Sequence, residues 1–295
     1  MKLGLFAMWS PSGELLNYRK VYLQELRRCA DYIIVIAAGG LKEEEKRYLY
    51  DQQIDCITRD NLGLDFGSWY EGLKAIGDLG QFSQVILAND SCVPIREFKT
   101  LAKWADENPF DYFGITTSRI ISPHVQSYFV GFKPSTYRTV VDYFNQHKVM
   151  NAGKDAIIRT YEIGLSAQIR KKGFSIGALH PYDMSPITIN PSIVAVPVLM
   201  KTGCPLIKRQ IMPVFAKYAQ PYCDFDIPFI LDRVCRTDMP GFDEEWYLTA
   251  HPGVANMIKL NRFSCGFEHY LRLSARSKAR ARINKEREPL KLKFA

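Results

Sequence analysis

The residues with the clearest chemical potential follow a short apolar run in the first third of the chain. Gln84 to Ala88 is too apolar for a surface element and leads directly into Asn89-Asp90-Ser91. Such a run is typical of a strand covered on both faces, as in a parallel sheet, and parallel sheets bind ligands at the carboxyl ends of their strands. We therefore expect Asp90 to contact a metal ion or a ligand. The alternative is a turn stabilised by its own side chains.

A turn-rich segment before this strand offers further polar groups. Asn61, Gly63 and Asp65 lead into a helix that we predict over residues 69–76. A helix N-terminus with a glycine-rich approach favours a pyrophosphate, so these residues are predicted to contact a phosphorylated ligand. Asp65 could instead cap the helix, and the glycines could simply serve the turn.

A second group of polar side chains lies between residues 124 and 132. His124, Gln126 and Tyr128 alternate with apolar residues, a pattern that predicts a half-buried strand with these three side chains on one face. Gln126, Ser127 and Tyr128 are candidates for lining an acceptor cleft. His124 could bind phosphate or metal, although a lone histidine is more often structural.

Three further candidates lie later in the chain. His180 follows a strand predicted over residues 174–179 and has the same two interpretations as His124. Lys208 and Arg209 could neutralise a diphosphate or could be ordinary surface charges. Glu162 lies in the predicted first turn of a helix over residues 161–173, where the helix dipole favours a carboxylate.

Alternating strands and helices must position these groups. We predict strands at 2–8, 32–37 and 55–58 and helices at 15–29 and 42–50, which is typical of a nucleotide-binding α/β fold. The expected architecture is a central, mostly parallel sheet flanked by helices. We predict three segments: an α/β domain over 1–240, a small helical module over 241–276 and a basic, flexible tail over 277–295.

The net charge of +8 is concentrated at one end of the chain. Residues 271–295 contain nine basic and two acidic side chains, so the remainder is nearly neutral. This distribution fits an anionic membrane surface better than a nucleic-acid groove, which a neutral body disfavours. A solvated tail without a partner is the alternative. Seven scattered cysteines indicate neither a disulfide framework nor a zinc site, and with no apparent signal peptide we expect a cytosolic protein.

An ordered set of motifs resembles the rhamnan synthesis protein F family of bacterial polysaccharide glycosyltransferases. The matching pieces are Asn61-x-Gly63-x-Asp65-Phe66-Gly67-Ser68-Trp69-x-x-Gly72-Leu73, Leu87-x-Asn89-Asp90-Ser91, His124-x-Gln126-Ser127-Tyr128-Phe129, Tyr161-Glu162-x-Gly164-Leu165-Ser166, and Asn190-Pro191 with Pro205-Leu206-Ile207-Lys208-Arg209. The resemblance implies a GT-A-like fold that binds a nucleotide-sugar donor, such as dTDP-rhamnose. It also implies transfer to a lipid-linked or polysaccharide acceptor of the rhamnan, O-antigen or capsule type.

The resemblance further implies a role for two carboxylates. In GT-A enzymes a carboxylate after a buried strand holds Mg²⁺ or Mn²⁺ against the donor diphosphate, and Asp90 occupies that place. Because Asn89 and Ser91 stand where flanking acids are usual, such a metal site would be sparse. Glu162 matches the position of the catalytic base of an inverting transferase. A non-catalytic glycan-binding or scaffold protein with the same fold is the competing interpretation.

Overall fold

The computed structural model describes residues 1–147, 152–181, 190–211 and 243–260, together with 262, 263, 265, 266, 269 and 270. The chain divides into two compact units. The first unit comprises Met1–Leu15, Leu23–Asp90 and Phe98–Pro191. The second comprises Leu16–Tyr22, Ser91–Glu97 and the described residues from Ser192 onward. The predicted tail over 277–295 lies outside the described residues.

The strands, in chain order, are β1 Lys2–Trp9, β2 Tyr32–Ala38, β3 Asp55–Arg59, β4 Gln84–Asn89, β5 Cys92–Pro94, β6 Tyr112–Ser118, β7 His124–Val125, β8 Phe129–Phe132, β9 Ile176–His180 and β10 Leu206–Lys208. The α-helices are α1 Asn17–Leu26, α2 Glu43–Asp51, α3 Leu64–Ile76, α4 Lys99–Glu107, α5 Tyr137–His147, α6 Lys154–Ile157, α7 Gly164–Lys171, α8 Pro191–Val194, α9 Val196–Lys201, α10 Glu244–Ala250 and α11 Pro252–Lys259. A π-helical segment, Ile158–Ile163, joins α6 to α7.

The first unit is built on a single eight-stranded sheet. Its order is β3-β2-β1-β4-β8-β6, with β7 and β9 both paired to β6. β1 is parallel to β2 and β4, β2 is parallel to β3, and β6 is parallel to β9. β8 is antiparallel to both of its neighbours, β4 and β6, and β7 is antiparallel to β6. Only β7 and β8 therefore run against the other strands, which confirms the predicted mostly parallel α/β sheet.

One core cluster fills the space between this sheet and the helices on one face. It joins side chains of β1, β2 and β4 to α3, α5 and the helical stretch from Lys154 to Lys171. Trp69 of α3 is fully buried there, and its indole Nε1 donates a hydrogen bond of 3.1 Å to the Ala88 carbonyl of β4. This bond fixes α3 against the strand that ends in the Asn-Asp-Ser motif.

Three expected element boundaries are wrong. The helix predicted from residue 69 begins at Leu64, because Gly63 adopts a left-handed conformation with φ of 71° and caps it. Asp65 therefore lies in the first turn and is not the cap. The strand predicted over 124–132 is instead two strands, β7 and β8, separated by residues 126–128. The backbone N–H of Gln126 donates to the Thr116 carbonyl there. The helix predicted from residue 161 already begins at Lys154, so Glu162 is not in a first turn.

Gly67 allows the segment before α3 to fold back against the helix. A Cβ at this position would lie 2.0 Å from the Leu62 carbonyl oxygen and 2.8 Å from the Arg59 guanidinium. Arg59, at the end of β3, also donates to the Leu62 carbonyl and, at 3.1 Å, to Ser68 Oγ. The segment that bears Asn61 and Gly63 is thus packed on the helix backbone itself.

We expect Gly67→Ala to destabilise the protein by about 2–3 kcal/mol, because the backbone of residue 62 would have to move. Urea unfolding followed by circular dichroism measures this. Gly253→Ala is the matched control, since Gly253 also lies in a helix and a Cβ there would meet nothing within 4 Å. Equal stabilities of the two variants would contradict the packing argument.

Candidate functional site at the carboxyl edge of the sheet

The Asn89-Asp90 motif lies at the point where the strand order of the sheet reverses. From β1 the chain first adds β2 and β3 on one side and then places β4 on the other. Ligands of such sheets bind in the crevice at this switch point. The backbone N–H of Asp90 donates to the Ala7 carbonyl of β1 at 3.1 Å, and Asp90 is only 6% exposed. Asp90 is therefore fixed where a ligand is expected.

Asp65 and Asn89 lie side by side at the same edge. Asn89 Nδ2 donates to Asp65 Oδ2 at 2.8 Å, so the first turn of α3 and the end of β4 share a side-chain hydrogen bond. Gly63 is buried, and Asn61 is exposed on the segment that precedes α3. The structure thus brings the predicted donor-binding residues of the first unit to one edge, with Asn61 at its outer side.

The residues that precede β8 reach this edge because β8 runs against its neighbours. The Asn89 N–H donates to the Tyr128 carbonyl at 3.4 Å, which places Ser127-Tyr128 beside the end of β4. His180 ends β9 next to Thr116 of β6 and is partly buried. The polar candidates between residues 124 and 128, and His180, therefore belong to the same end of the sheet as Asp90.

Gln126 and Tyr128 are tied into a buried hydrogen-bond network. Thr116 Oγ1 lies 2.8 Å from both Gln126 Oε1 and the Tyr128 hydroxyl. Since the hydroxyl of Thr116 carries one proton and Gln126 Oε1 can only accept, Tyr128 donates to Thr116. Gln126 Nε2 donates in turn to Asn190 Oδ1 at 2.8 Å. These contacts fix the turn that presents Ser127.

Glu162 receives hydrogen bonds on both of its carboxylate oxygens. Oε2 accepts from the backbone N–H of Ser127 at 2.8 Å and also from the Ser127 hydroxyl. Oε1 lies 3.2 Å from His124 Nε2, and the Glu162 side chain is 14% exposed. His124 Nδ1 lies 2.7 Å from the Ser122 carbonyl, which can only accept, so Nδ1 carries a proton. A hydrogen bond from Nε2 to Glu162 therefore requires the cationic form of His124, in which both ring nitrogens are donors.

The π-helical segment Ile158–Ile163 positions the Glu162 side chain against Ser127 and His124. The N–H of Gly164 bonds to the Arg159 carbonyl five residues earlier, and the Tyr143 hydroxyl of α5 donates to the Thr160 carbonyl at 2.7 Å. Tyr161 is buried in the core while the next residue, Glu162, faces Ser127. Single π turns inside α-helices are frequent at functional sites.

The electrostatics favour an ionised Glu162. Burial alone would raise the pKa of this carboxyl group, but the hydrogen bonds from His124 and Ser127 outweigh burial and hold the pKa below its ordinary value. Burial, together with the negative charge of Glu162, raises the pKa of Tyr112 in β6. A carboxylate that stays ionised can accept a proton from a reacting hydroxyl group.

Ser91, Lys208 and Arg209 are brought together within the second unit. β10 pairs antiparallel with β5, with Lys208 opposite Cys92. Lys208 Nζ donates to Ser91 Oγ at 3.1 Å, and the Arg209 N–H donates to the Ser91 carbonyl at 2.8 Å. The Arg209 guanidinium donates to the Tyr18 hydroxyl at 2.8 Å. Ser91, which directly follows Asp90 in the chain, is thus contacted by the Lys208 side chain and the Arg209 backbone, whereas the Arg209 guanidinium is bonded to Tyr18.

The sequence profile of the rhamnan synthesis protein F family matches residues 33–252, which is most of the chain and includes every candidate site residue. The chain belongs to the rhamnan synthesis protein F family. Its relatives in this comparison are distant. The virulence protein VirA of Vibrio anguillarum is 25% identical over 191 residues, covering 62% of this chain and 60% of the relative. The uncharacterized protein y4gN of Sinorhizobium fredii has the same identity and length of match, covering 49% of the relative.

This member of the rhamnan synthesis family spans three fifths or less of the length of these curated relatives. Among solved structures it is similar to 4-diphosphocytidyl-2C-methyl-D-erythritol synthase from Anaerococcus prevotii, with a TM-score of 0.41, 11% identity and coverage of 68% of this chain and 96% of that chain. It is also similar to the galactosyltransferase LgtC in complex with donor and acceptor sugar analogs, with a TM-score of 0.35, 13% identity and coverage of 56% and 72%. The family assignment depends on the sequence match alone.

Clusters of side chains that could bind a metal ion and helices that could span a membrane are both absent from the described residues. Within the described ranges no group of three or more His, Cys, Asp or Glu side chains is arranged to hold a metal ion. A cation at Asp90 would therefore take most of its oxygen ligands from a bound diphosphate and water. No helix in the part of the chain that the structure describes is both long and apolar enough to cross a membrane.

Sequence reasoning missed three residues that organise the site. Thr116 joins Gln126 to Tyr128, Asn190 accepts from Gln126, and Arg59 holds the segment before α3. Thr116 and Arg59 both lie in the last residues of strands that end at this edge, which is the signal that could have found them. The sequence shows Asn190 only as part of the Asn190-Pro191 motif, which predicts no contact with Gln126.

We expect the stability that Glu162 provides to depend on pH. Its pKa is lowered in the folded state, so its stabilising contribution is complete above its ordinary pKa of 4.5 and is lost as the pH falls through the folded value. Glu162→Gln should lower the free energy of unfolding by about 1–3 kcal/mol at pH 7. The deficit relative to the wild type should shrink as the pH falls below 4.5.

Urea unfolding at a series of pH values measures this difference. Glu107→Gln, which removes an exposed carboxylate at the end of α4, controls for the loss of one negative charge. A deficit that stays constant between pH 7 and pH 3 would contradict the lowered pKa of Glu162.

Proposed function

We propose that this protein is an inverting glycosyltransferase of polysaccharide synthesis. In this proposal it transfers a hexose, L-rhamnose from dTDP-rhamnose, to a growing lipid-linked polysaccharide of the rhamnan, O-antigen or capsule type. The observation that carries the proposal is the gathering of Asp65, Asn89, Asp90 and Glu162 at one edge of the sheet in a member of the rhamnan synthesis family.

The donor half of the proposed site uses the end of β4 and the start of α3. Asp65, Asn89 and Asp90 would contact the nucleotide-sugar, with Asn61 and Gly63 on the adjoining segment. Within the second unit, Ser91, Lys208 and Arg209 are proposed as phosphate contacts, because the Lys208 ammonium group bonds to the Ser91 hydroxyl and Arg209 is the next residue in the chain. Mg²⁺ or Mn²⁺, if bound at Asp90, would supply positive charge that stabilises the departing diphosphate.

The acceptor half uses Glu162 as the base. An acceptor hydroxyl would attack C1 of the donor sugar as its proton passes towards Glu162, and the nucleoside diphosphate would leave with the electron pair of the broken bond. Glu162 is ionised at neutral pH and can therefore accept this proton, and the hydrogen bonds that lower its pKa also make it a weaker base. Other candidates for contacts with the acceptor or phosphate lie at this end of the sheet: His124, Gln126, Ser127, Tyr128 and His180.

The cellular setting follows from the acceptor that we propose. A lipid-linked acceptor would bring the protein to the cytoplasmic face of a membrane, where the basic residues between 271 and 295 could bind anionic lipids. Those residues lie outside the described part of the structure. Nucleic acid is not an expected partner, because the remaining chain is nearly neutral.

We expect the wild-type protein to bind one nucleoside diphosphate among dTDP, UDP and GDP, with dTDP preferred. Isothermal titration calorimetry with and without Mn²⁺ measures this binding. Asp90→Ala should weaken it at least tenfold, since a buried polar contact with the ligand would be lost. Asp142→Ala is the matched control, because Asp142 is an exposed aspartate of α5 paired only with the exposed Arg138.

Each outcome of the titration has a definite meaning. Binding that Asp90→Ala abolishes and Asp142→Ala preserves would support the donor site. If the wild type binds none of the three nucleotides, the catalytic proposal is wrong, and the scaffold interpretation gains support. Binding that survives Asp90→Ala would place the donor elsewhere.

A further inference from the structure

The hydrogen bonds of Glu162 raise the question of how the acceptor proton reaches this carboxylate. Both carboxylate oxygens are already occupied by groups of the protein, Oε1 by His124 and Oε2 by Ser127. The Glu162 side chain is largely buried, and so are His124, Gln126 and Tyr128. Ser127 and Glu162 are both partly exposed, whereas the neighbours of Ser127 in this stretch are buried. The Ser127 hydroxyl is therefore accessible to an incoming hydroxyl group and is already bonded to Glu162.

Ser127 also lies next to the donor motif. The Tyr128 carbonyl accepts from the backbone N–H of Asn89, and Asn89 precedes Asp90 at the end of β4. The Ser127 hydroxyl on the other side donates to Glu162 Oε2. Ser127 is thus one residue away from the contact with the strand end where we place the donor, and its side chain is bonded to the carboxylate that we propose as base.

We propose that the Ser127 hydroxyl relays the acceptor proton to Glu162. As the acceptor oxygen forms its bond to C1 of the donor sugar, the acceptor proton moves to Ser127 Oγ and the original Ser127 proton moves to Glu162 Oε2. The bond between C1 and the diphosphate oxygen breaks, and its electron pair leaves with the nucleoside diphosphate. Ser127 ends the step as a neutral hydroxyl group, and Glu162 ends it protonated. This inference rests on the proposed function.

His124 is the positioning residue of this arrangement. Its Nδ1 is anchored on the Ser122 carbonyl, and its Nε2 holds Glu162 Oε1, so the second oxygen of the carboxylate is turned to Ser127. Among the described residues, the titratable groups whose charge acts on Glu162 are His124 and the buried Tyr112. His124 stabilises the negative charge of Glu162, which lets the carboxylate remain ionised until the proton arrives.

The test uses water as the acceptor, because the natural acceptor is unidentified. Release of dTDP from dTDP-rhamnose would be measured for the full-length wild type, Ser127→Ala, Ser127→Thr and Glu162→Gln. Ser127→Thr retains a hydroxyl group, whereas Ser127→Ala retains only the backbone N–H bond to Glu162. Ser135→Ala removes an exposed hydroxyl group from the same unit and is the control. The dTDP affinity of each variant would be measured by calorimetry.

A relay predicts that Ser127→Ala slows release about 100-fold or more, with a dTDP affinity within about twofold of the wild type. Ser127→Thr should remain within about tenfold of the wild-type rate. The relay is wrong if Ser127→Ala hydrolyses the donor at the wild-type rate, or if the alanine and threonine variants are equally slow. A wild type that binds no dTDP would instead refute the proposed function, and the relay with it.

The pH profile tests whether Glu162 is the base that receives the proton through Ser127. Without the Ser127 hydroxyl, Glu162 loses one of the donors that lower its pKa. The acid limb of kcat/KM should therefore move to higher pH in Ser127→Ala and remain in place in Ser127→Thr. An unmoved acid limb in the residual activity of Ser127→Ala would overturn the relay.

Discussion

A carboxylate that lies almost out of reach of water has to be given hydrogen-bond donors, because an unpaired buried charge costs several kcal/mol. The candidate site is arranged around this requirement at Glu162. The turn between β7 and β8 supplies a backbone N–H and a hydroxyl group, and His124 supplies an imidazole nitrogen. The break in what would otherwise be one strand is therefore the means by which the sheet provides these donors.

The topology of the sheet brings this carboxylate to the donor motif. Because β8 runs against its neighbours, its first residues lie at the edge where β1, β4 and β6 end. Asp90 comes to that edge from a strand end, Asp65 from a helix start, and Ser127 from the turn before a reversed strand. Residues from three separate parts of the sequence meet there. A main-chain bond to β1 holds Asp90, whereas hydrogen bonds with the side chains of Asn89 and Glu162 hold Asp65 and Ser127.

The parallel sheet and the position of Asp90 were predictable from the sequence, because buried strands are continuous apolar runs and the polar residue after such a run must lie at the carboxyl edge. The start of α3 was not, since Leu64 has a positive φ of 52° that only the packing of the preceding segment on Gly67 explains. The break at residues 126–128 was also hidden, because its partners, Thr116 and Glu162, are distant in sequence. Alternating polarity alone predicts a strand there.

The π turn before α7 constrains the number of residues in the helical segment from Lys154 to Lys171. Ile157, Tyr161, Leu165 and Ile169 are all buried and recur every four residues. An α-helix rotates roughly 100° per residue, so this stripe would drift by about 40° at each step in a straight helix. The wider turn at Ile158–Ile163 absorbs that drift and lets Tyr161 stay in the core while Glu162 faces Ser127. Insertion or deletion of one residue here would displace either the buried side chains or Glu162, so the length of this segment is constrained as well as its residue types.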